Sequence, residues 1–349
     1  MLRNKTKNLY IGNVAIGGDA PISIQTMTKT KTANISDTLA QINKAYEAGV
    51  DIVRVTVNNE EAANAIKYIV KDSPVPIVAD IHFNHIFALK SIEAGVAKVR
   101  INPGNIGNKE RIAAVLNAAN DKNIPIRIGV NSGSLEKDIL EKYGTPTADA
   151  LVESAIRHIN IANDFNFDNL IIAVKSTSVP TTIEAYRKLA NLTNYPLHLG
   201  VTESGSVYSG LIKSSIGIGT LLAEGIGNTI RVSLTGTPEQ EVEAGIEILS
   251  ALKLREKYIE LISCPTCGRV EVNLIELSQK LEPILKKIKK RLTIALMGCI
   301  VNGPGEAREA DLGIACGKGE ALLFIKGTPI RKIKEENIIN ELLTEIDKF

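Results

Sequence analysis

Three of the four cysteines in this chain of 349 residues are gathered in two turn-rich segments near its end. Cys264 and Cys267 are separated by two residues, and Cys299 opens a Gly/Pro-rich stretch that continues to Glu306. Tight turns allow several thiolates to converge on one point, which is the arrangement that an iron–sulfur centre or a metal ion requires. The spacing therefore predicts such a centre, held by these three thiolates.

The fourth ligand of this centre is open between two side chains. Cys316 lies in an alternating apolar run, which is equally typical of a small buried residue. Glu306 follows a Gly-Pro-Gly turn, and its carboxylate would be an exchangeable ligand that lets one iron open toward a substrate. A structural zinc site with four cysteines usually repeats the two-residue gap in its second pair, which Cys299 and Cys316 do not. The pattern favours an iron–sulfur centre over a zinc site.

An alternation of strand and helix patterns precedes the cysteines and must position the remaining chemistry. In the first unit, Ser36 is predicted to cap a helix that Gly49 ends. Eight such units over about 250 residues predict a (β/α)8 TIM-type barrel, although an open doubly wound sheet has the same alternation. The predicted strands are 21–28, 52–57, 77–82, 98–102, 126–130, 170–175, 197–202 and 229–234.

Cationic side chains recur at the ends of these strands and share their parity with other polar residues. Residues two apart on a strand face the same side, so these side chains should line the carboxyl end of the barrel, where barrel enzymes work. Charge is expected only at that mouth, because charge in a dry core is costly. The cations are Arg54, Arg100, Arg127, Lys175 and Arg231, and the polar side chains of matching parity are Asp80, His82, Asn102, Asn131 and Ser233.

A ring of cations at the barrel mouth predicts a multiply charged anionic substrate such as a diphosphate, because guanidinium groups bind phosphate oxygens in pairs. Asp80, His82 and Glu203, which opens a loop after a strand, are candidate proton donors and acceptors beside it. His158 and His198 fall within a helix and early in a strand, which indicates structural roles. The lysines at 286–290 are typical of a solvated helix end, with a dock for an acidic electron carrier as the alternative.

Composition limits the classes of partner. The net charge of +2 and an aromatic content of 4% give no basic or base-stacking surface for nucleic acid. No apolar segment reaches the length of a membrane span and no signal peptide pattern begins the chain, which predicts a cytoplasmic protein with reduced thiols. A charged stretch at 253–257 predicts a boundary between a barrel over 1–255, which would bind the diphosphate, and a small α+β cluster domain over 256–349.

Several short strings occur together in this sequence. They are Ala79-Asp80-Ile81-His82-Phe83, Arg100-Ile101-Asn102-Pro103-Gly104-Asn105, Arg127-Ile128-Gly129-Val130-Asn131, Gly200-Val201-Thr202-Glu203, Ile230-Arg231-Val232-Ser233-Leu234-Thr235, the Cys264/Cys267 loop and 297–306. Together they resemble the 4-hydroxy-3-methylbut-2-enyl diphosphate synthase family, in its short two-domain bacterial form. The resemblance runs from about residue 24 to residue 316.

The resemblance implies an oxidoreductase of the methylerythritol phosphate route to isoprenoids. It would open and dehydrate 2-C-methyl-D-erythritol 2,4-cyclodiphosphate to (E)-4-hydroxy-3-methylbut-2-enyl diphosphate, with two electrons from flavodoxin or ferredoxin. The resemblance also implies a homodimer whose active sites are shared between subunits. The implied residues are Cys264, Cys267, Cys299 and Glu306 for a [4Fe-4S] cluster, Arg54, Arg100, Arg127 and Lys175 for the diphosphate, Asp80, His82, Asn102, Asn131, Arg231 and Ser233 for the pocket, and Glu203 as acid/base.

Two other functions remain as alternatives. A phosphate-binding barrel transferase that resembles the pterin-binding synthases, with a structural zinc in its tail, would account for the cations and the cysteines separately. A cluster-carrying electron-transfer module would account for the cysteines alone and leave the polar strand ends without a purpose. Iron against zinc content separates the enzyme from the first alternative, and turnover of the cyclodiphosphate separates it from the second.

Overall fold

The computed structural model describes residues 3–102, 106–301 and 303–349, which form two compact units, Met1–Arg255 and Glu256–Phe349. Pro103, Gly104 and Asn105 of the second string and Asn302 of the cysteine segment lie outside the described residues. None of the helices in the described part of the chain combines the length and the apolar character that crossing a membrane requires.

The first unit contains an eight-stranded parallel barrel, as the strand–helix alternation predicts. The barrel strands are β3 (Ser23–Met27), β4 (Ile52–Thr56), β5 (Ile77–Asp80), β6 (Lys98–Ile101), β7 (Ile126–Asn131), β8 (Leu170–Lys175), β9 (His198–Leu199) and β10 (Thr229–Ile230). A parallel bridge between Ile172 and Leu197 joins the two ends of the strand order β8-β7-β6-β5-β4-β3-β10-β9, so the open-sheet alternative is wrong.

Helices follow the strands and cover the barrel with their apolar faces. They are α1 (Ile35–Glu47), α2 (Glu60–Asp72), α3 (His85–Glu93), α4 (Lys109–Asp121), α5 (Lys137–Tyr143), α6 (Ala148–Asn163), α7 (Val179–Leu192), α8 (Val207–Ala223) and α9 (Pro238–Ala251). Each of the first four begins with an asparagine whose side-chain oxygen accepts a backbone N–H of the first turn. The prediction of Ser36 as the first cap is wrong, because Asn34 accepts the N–H of Asp37 at 3.2 Å and Ser36 is already helical.

A short hairpin closes the amino-terminal end of the barrel and was not predicted. Its strands β1 (Leu9–Ile11) and β2 (Val14–Ile16) pair antiparallel across a turn in which Gly12 has a φ of +60°. Leu9, Ile11 and Ile16 pack against the barrel residues Ile52, Val78 and Ile171 in one apolar cluster. This end of the barrel is therefore filled, and chemistry is left to the opposite end.

The second unit is a five-stranded mixed sheet with helices, in agreement with the predicted α+β domain. The strands are β11 (Ile259–Ser263), β12 (Leu292–Met297), β13 (Leu312–Cys316), β14 (Glu320–Ile325) and β15 (Thr328–Lys334), and the helices are α10 (Leu274–Leu285), α11 (Gly303–Arg308) and α12 (Ile338–Lys348). The first three strands are parallel neighbours, and β14 and β15 add antiparallel at one edge. Strand β15 was not predicted from the sequence.

Candidate active site

The strand register aligns polar side chains at the carboxyl end of the barrel. Asp80 on β5 pairs in register with Arg100 on β6, and Arg100 pairs with Arg127 on β7. Asn131, at the end of β7, pairs with Lys175 at the end of β8. Paired residues on neighbouring parallel strands point to the same face of the sheet, so the period-two argument from the sequence agrees with this register.

Asp80 is the carboxylate at the centre of one side of this mouth. It is 3% exposed and its oxygens lie 3.8 Å from Arg54, 3.4 Å from Arg100 and 3.9 Å from the ring of His82. Burial alone would raise the pKa of this carboxyl group, but Arg54 and Arg100 outweigh it and lower the pKa. Asp80 is therefore a fixed negative charge that holds two guanidinium groups and one imidazole.

Arg127 and Lys175 are buried cations without such a partner. Arg127 is 2% exposed and its buried Nε atom has no hydrogen-bond partner, while Lys175 is 6% exposed; within the described residues, neither side chain forms an ion pair with a carboxylate. Burial lowers the pKa of both side chains well below the ordinary values, and the neighbouring guanidinium groups lower it further. Because unsatisfied buried donors are costly, this pair of cations is prepared for an anion that enters the mouth.

Two glycines make room for the cations. A Cβ atom at Gly129 would lie 2.9 Å from the Nε atom of Arg100, and one at Gly200 would lie 2.4 Å from the Nζ atom of Lys175. The Arg100 side chain crosses the first glycine and donates to its carbonyl oxygen at 3.0 Å. Both strings that contain these glycines therefore have a steric reason for them.

Glu241 is a second buried carboxylate at the mouth, which sequence reasoning missed. It lies in the first turn of α9, is 1% exposed, and accepts from the Thr26 hydroxyl at 2.8 Å and from Arg231 at 3.4 Å. Nothing in the local sequence distinguishes it from Glu239 and Glu243, its neighbours on the helix. Only the packing of α9 against the barrel identifies it.

Lys98 contradicts the expectation that charge is confined to the mouth. It starts β6, two residues before Arg100, and is fully buried in the barrel interior, where its Nζ atom donates to Gln25 at 2.9 Å. Burial, with Arg127 and Arg54 nearby, lowers the pKa of Lys98 well below its ordinary value. The hydrogen bond to Gln25 satisfies one donor of this ammonium group inside the barrel, so the expectation that charge lies only at the mouth is wrong at this position. Its parity with Arg100 was the signal that could have identified it.

The remaining predicted side chains stand around the same opening. Glu203 is exposed in a loop held by a hydrogen bond from the Ser204 hydroxyl to the carbonyl of Ser233. Its φ of +49° is uncommon for a residue with a side chain, and such backbone outliers are concentrated at functional sites. Asn102 is buried and accepts the Gly129 N–H at 3.0 Å, so it supports β7. His82 remains half exposed beside Asp80.

His158 and His198 occupy structural positions. His158 is buried on α6, and its ring lies 2.9 Å from the Glu136 carboxylate. His198 is fully buried on β9 with its Nδ1 atom 3.4 Å from the Thr229 hydroxyl, and burial lowers its pKa well below the ordinary value. Both placements agree with the structural roles expected for them.

The candidate cluster ligands lie at one edge of the second unit, where the parallel strands end. Cys264 follows β11 and its N–H donates to Leu296 at 3.1 Å, while Cys299 follows the neighbouring β12. Cys264 is half buried, Cys267 is exposed and Cys299 is buried. Glu306 is exposed on α11, a helix that packs against β12 and β13.

These donors fit an iron–sulfur centre in their chemistry and in their placement on neighbouring loops. Their side chains do not converge, however: within the described residues, no three histidine, cysteine or carboxylate groups are gathered closely enough to hold a metal ion. Cys316 is a poorer ligand than Glu306, because it is fully buried in the apolar core and burial, followed by Glu335, raises the pKa of its thiol to about 12.

The lysine run has a structural explanation. Lys290 donates to the carbonyl oxygens of Ile346 and Asp347 at 2.8 and 2.9 Å, where cations stabilise the end of α12. The lysine run lies before β12 and Cys299 lies after this strand. The six residues of β12, about 20 Å, therefore separate the lysine run from Cys299. This separation does not favour the run as a dock for an electron carrier.

Comparison with known proteins covers almost the whole chain. Residues 6–246 match the family model described as the GcpE TIM-barrel domain, and residues 260–348 match the GcpE protein C-terminal domain. A relative from Clostridium perfringens, named 4-hydroxy-3-methylbut-2-en-1-yl diphosphate synthase (flavodoxin), is 55% identical over 347 residues, which cover 99% of both chains. One with the same name from Geobacter sulfurreducens is 51% identical over 100% of this chain and 99% of its own.

Solved structures share the barrel. The chain resembles 3-dehydroquinate dehydratase from Geobacillus kaustophilus with a TM-score of 0.53 and 15% identity, over 73% of this chain and 100% of the other. It resembles dihydropteroate synthase from Xanthomonas albilineans with a TM-score of 0.51 and 15% identity, over 70% and 97% of the two chains. At this identity the likeness concerns the fold alone, so it does not favour a pterin-related activity.

Proposed function

The chain belongs to the GcpE family, and we propose that it reductively opens and dehydrates 2-C-methyl-D-erythritol 2,4-cyclodiphosphate to (E)-4-hydroxy-3-methylbut-2-enyl diphosphate for isoprenoid biosynthesis. The observation that carries this proposal is the buried pair Arg127 and Lys175, which forms no ion pair with a carboxylate within the described residues. Together with Arg54, Arg100 and Arg231 these cations would hold the two phosphates of the ring.

The cations would also favour the opening of the ring. When the C–O bond to phosphate breaks, the released phosphate oxygen gains negative charge, and the cyclic dianion becomes a linear diphosphate of higher charge. Donors fixed in advance in a water-poor site stabilise such developing charge more strongly than they stabilise the starting material. Overall two electrons and one proton enter, and one hydroxyl leaves as water.

Glu203 would transfer the proton to the departing hydroxyl. Its exposed carboxyl group stands in a loop tied to Ser233, and the loop holds its backbone in an uncommon conformation. His82 would orient the substrate, because Asp80 lies 3.9 Å from its ring and restrains it. Asn131 and Ser233 would complete the pocket beside the phosphates.

A [4Fe-4S] cluster would be held by Cys264, Cys267, Cys299 and Glu306, which lie at one sheet edge. When bound, it would supply the two electrons one at a time from flavodoxin or ferredoxin. We propose the reducing cytoplasm as the location, where thiols such as Cys264, Cys267 and Cys299 remain reduced and can act as cluster ligands.

We also propose a homodimer in which one subunit provides the barrel mouth and the other the cluster ligands. Helix α8 supports an association surface, because it exposes a row of large apolar side chains. These are Val207, Tyr208, Leu211, Ile212 and Ile216, with exposed fractions between 36 and 78%. Apolar patches of this kind on a chain surface mark sites of protein association.

Anaerobic turnover with an artificial reductant tests the activity. The reconstituted protein should convert the cyclodiphosphate and contain iron, and Arg127→Gln should lower kcat/KM by at least a hundredfold while the iron content stays unchanged. A protein that contains zinc and no iron would support the transferase alternative. A protein that holds iron but neither binds nor converts the cyclodiphosphate would support the electron-transfer alternative.

A further inference from the structure

Glu241 connects three parts of the barrel mouth. Its Oε1 atom accepts from the backbone N–H of Leu234, in the segment after β10, at 3.2 Å. Its Oε2 atom accepts from the Thr26 hydroxyl on β3 at 2.8 Å and from Arg231 at 3.4 Å. Lys29, in the loop after β3, lies 3.4 Å from the same carboxylate. A carboxylate that is 1% exposed thus has its acceptor positions occupied by groups from two neighbouring barrel strands.

Lys29 completes the link between the two strand ends. Its Nζ atom donates to the carbonyl oxygen of Leu234 at 3.0 Å and to that of Gly236. Lys29 is a cation beside the mouth, but these bonds and Glu241 engage its ammonium group in connecting the two loops. The loop after β3 is therefore anchored to the segment after β10 by charge-assisted hydrogen bonds.

Two guanidinium groups of the mouth approach one sulfur atom, and each has its own carboxylate. Arg54 donates to the sulfur of Met27 at 2.9 and 3.1 Å, and Arg231 lies on the same sulfur at 3.7 Å. Arg54 has its own carboxylate in Asp80, while Arg231 has Glu241. The two buried carboxylates therefore divide the cations of the mouth between them.

We propose that Glu241 is a positioning residue, which holds the Arg231 guanidinium at the barrel mouth for the diphosphate and fixes the β3 and β10 ends against each other. The inference rests on the proposed function in one respect only, namely that the mouth binds a diphosphate. Glu241 is shielded from solvent behind these partners and acts through Arg231.

The direction in which one substitution changes anion affinity distinguishes a positioning role of Glu241 from a simple counter-ion role. Glu241→Gln keeps the shape of the side chain but adds one net positive charge to the mouth. If Glu241 only neutralised charge, the variant would bind an anion more tightly. If Glu241 positions Arg231, the variant binds the anion more weakly, because the guanidinium loses its fixed orientation and the loop after β3 is released.

The experiment measures inorganic pyrophosphate binding to the full-length reconstituted protein by calorimetry. We expect Glu241→Gln to weaken binding about tenfold, which corresponds to about 1.4 kcal/mol. Glu239→Gln on the same helix turn is the matched control for charge and should change affinity less than twofold. In turnover assays Glu241→Gln should raise KM more than it lowers kcat. Unchanged or tighter pyrophosphate binding by a folded Glu241→Gln protein would overturn the proposal.

A double-mutant cycle tests whether Glu241 acts through Arg231. Arg231→Gln alone should weaken pyrophosphate binding, and adding Glu241→Gln to it should cause little further loss. Additive losses would show that Glu241 acts independently of Arg231 and would contradict the proposal. Thr26→Val removes one partner and keeps both the carboxylate and the net charge, so it provides a second test if Glu241→Gln does not fold: the variant should weaken pyrophosphate binding, and unchanged binding would overturn the proposal. Because pyrophosphate binding is measured without turnover, the proposal can hold even if the proposed synthase activity fails, and the reverse.

Discussion

Asp80 carries the negative charge for Arg54, Arg100 and His82 in a nearly solvent-free position. Removing one partner of a buried ion pair leaves the other charge uncompensated, which typically costs about 3–5 kcal/mol. The pKa of Asp80 is lowered in the folded protein, because the two arginines outweigh the effect of burial. The carboxylate therefore stabilises the fold in its charged form, and its contribution must depend on pH.

We predict that Asp80→Asn lowers the free energy of unfolding by about 3 kcal/mol at neutral pH. The folded pKa lies below the unfolded value of about 3.9, so the contribution is fully present above that value and is lost as the pH falls through the folded pKa. Urea unfolding of both proteins at pH 7, 5 and 3.5 measures this: the difference should be equal at the first two and smaller at the third. A difference independent of pH down to 3.5 would contradict the assignment.

Strand parity predicted which side chains share a face of the sheet, because on a strand the backbone alone sets the face to which each side chain points. The alignment of Asp80 with Arg100 and of Arg100 with Arg127 follows from period two and parallel pairing. Glu241 could not be found in this way, because its role depends on how far α9 leans over the barrel end. The preference for Glu306 over Cys316 as the proposed fourth cluster ligand also depends on the structure, because only its burial in the core distinguishes Cys316 from an accessible thiol.

At the scale of the elements, β9 shapes the site through the glycine that follows it, because the absence of a side chain there leaves room for Lys175. Gly200 directly follows this short strand, and the Lys175 side chain extends from β8 across it. A Cβ atom at Gly200 would also lie 2.7 Å from the carbonyl oxygen of Arg231, which is backbone and cannot move freely. The position therefore couples the direction of Lys175 to the spacing of β9 and β10.

We predict that Gly200→Ala weakens pyrophosphate binding at least tenfold, because Lys175 must leave its place or β10 must shift. Calorimetry with the full-length protein measures the affinity, and thermal unfolding reports the strain. Gly219→Ala on α8 is the matched control, because a Cβ atom there meets no other atom within 4 Å and helix propensity should be gained. Equal affinity of both variants would show that Lys175 does not depend on this glycine.

The strands that were not predicted from the sequence are either very short or rich in charged residues, and each property explains why the strand pattern was weak. Strands β1 and β2 have three residues each, and their Gly-Asn turn was the local signal for a hairpin. Strand β15 is an edge strand with a proline and several cations, a composition that protects an edge from further pairing but hides the strand pattern. Strands β9 and β10 were predicted to extend further than they do, because the alternation of polar and apolar residues continues after them in irregular backbone.

At the scale of the whole molecule, the proposed cluster ligands lie in the second unit and the proposed diphosphate ligands lie in the first. Electrons must reach the reacting carbon, so the proposed reaction requires cluster and barrel mouth to meet. A subunit whose partner supplies the cluster satisfies this requirement, and the exposed apolar row on α8 gives the chain a surface for association. A C2 dimer would contain two such shared sites, related by symmetry.

We predict that two inactive variants restore activity when they share a dimer. Cys299→Ser removes a proposed cluster ligand and Arg127→Gln removes a proposed diphosphate ligand, so a mixed dimer with shared sites would hold one complete site of two. Random exchange makes half of the dimers mixed, and activity should return to about a quarter of the wild-type value. A mixture of Cys299→Ser with Cys267→Ser is the control, because both lesions lie in the same unit and no complete site forms. Coexpression with two different affinity tags isolates the mixed dimer, and a purified mixed dimer without turnover would show that each subunit serves its own substrate.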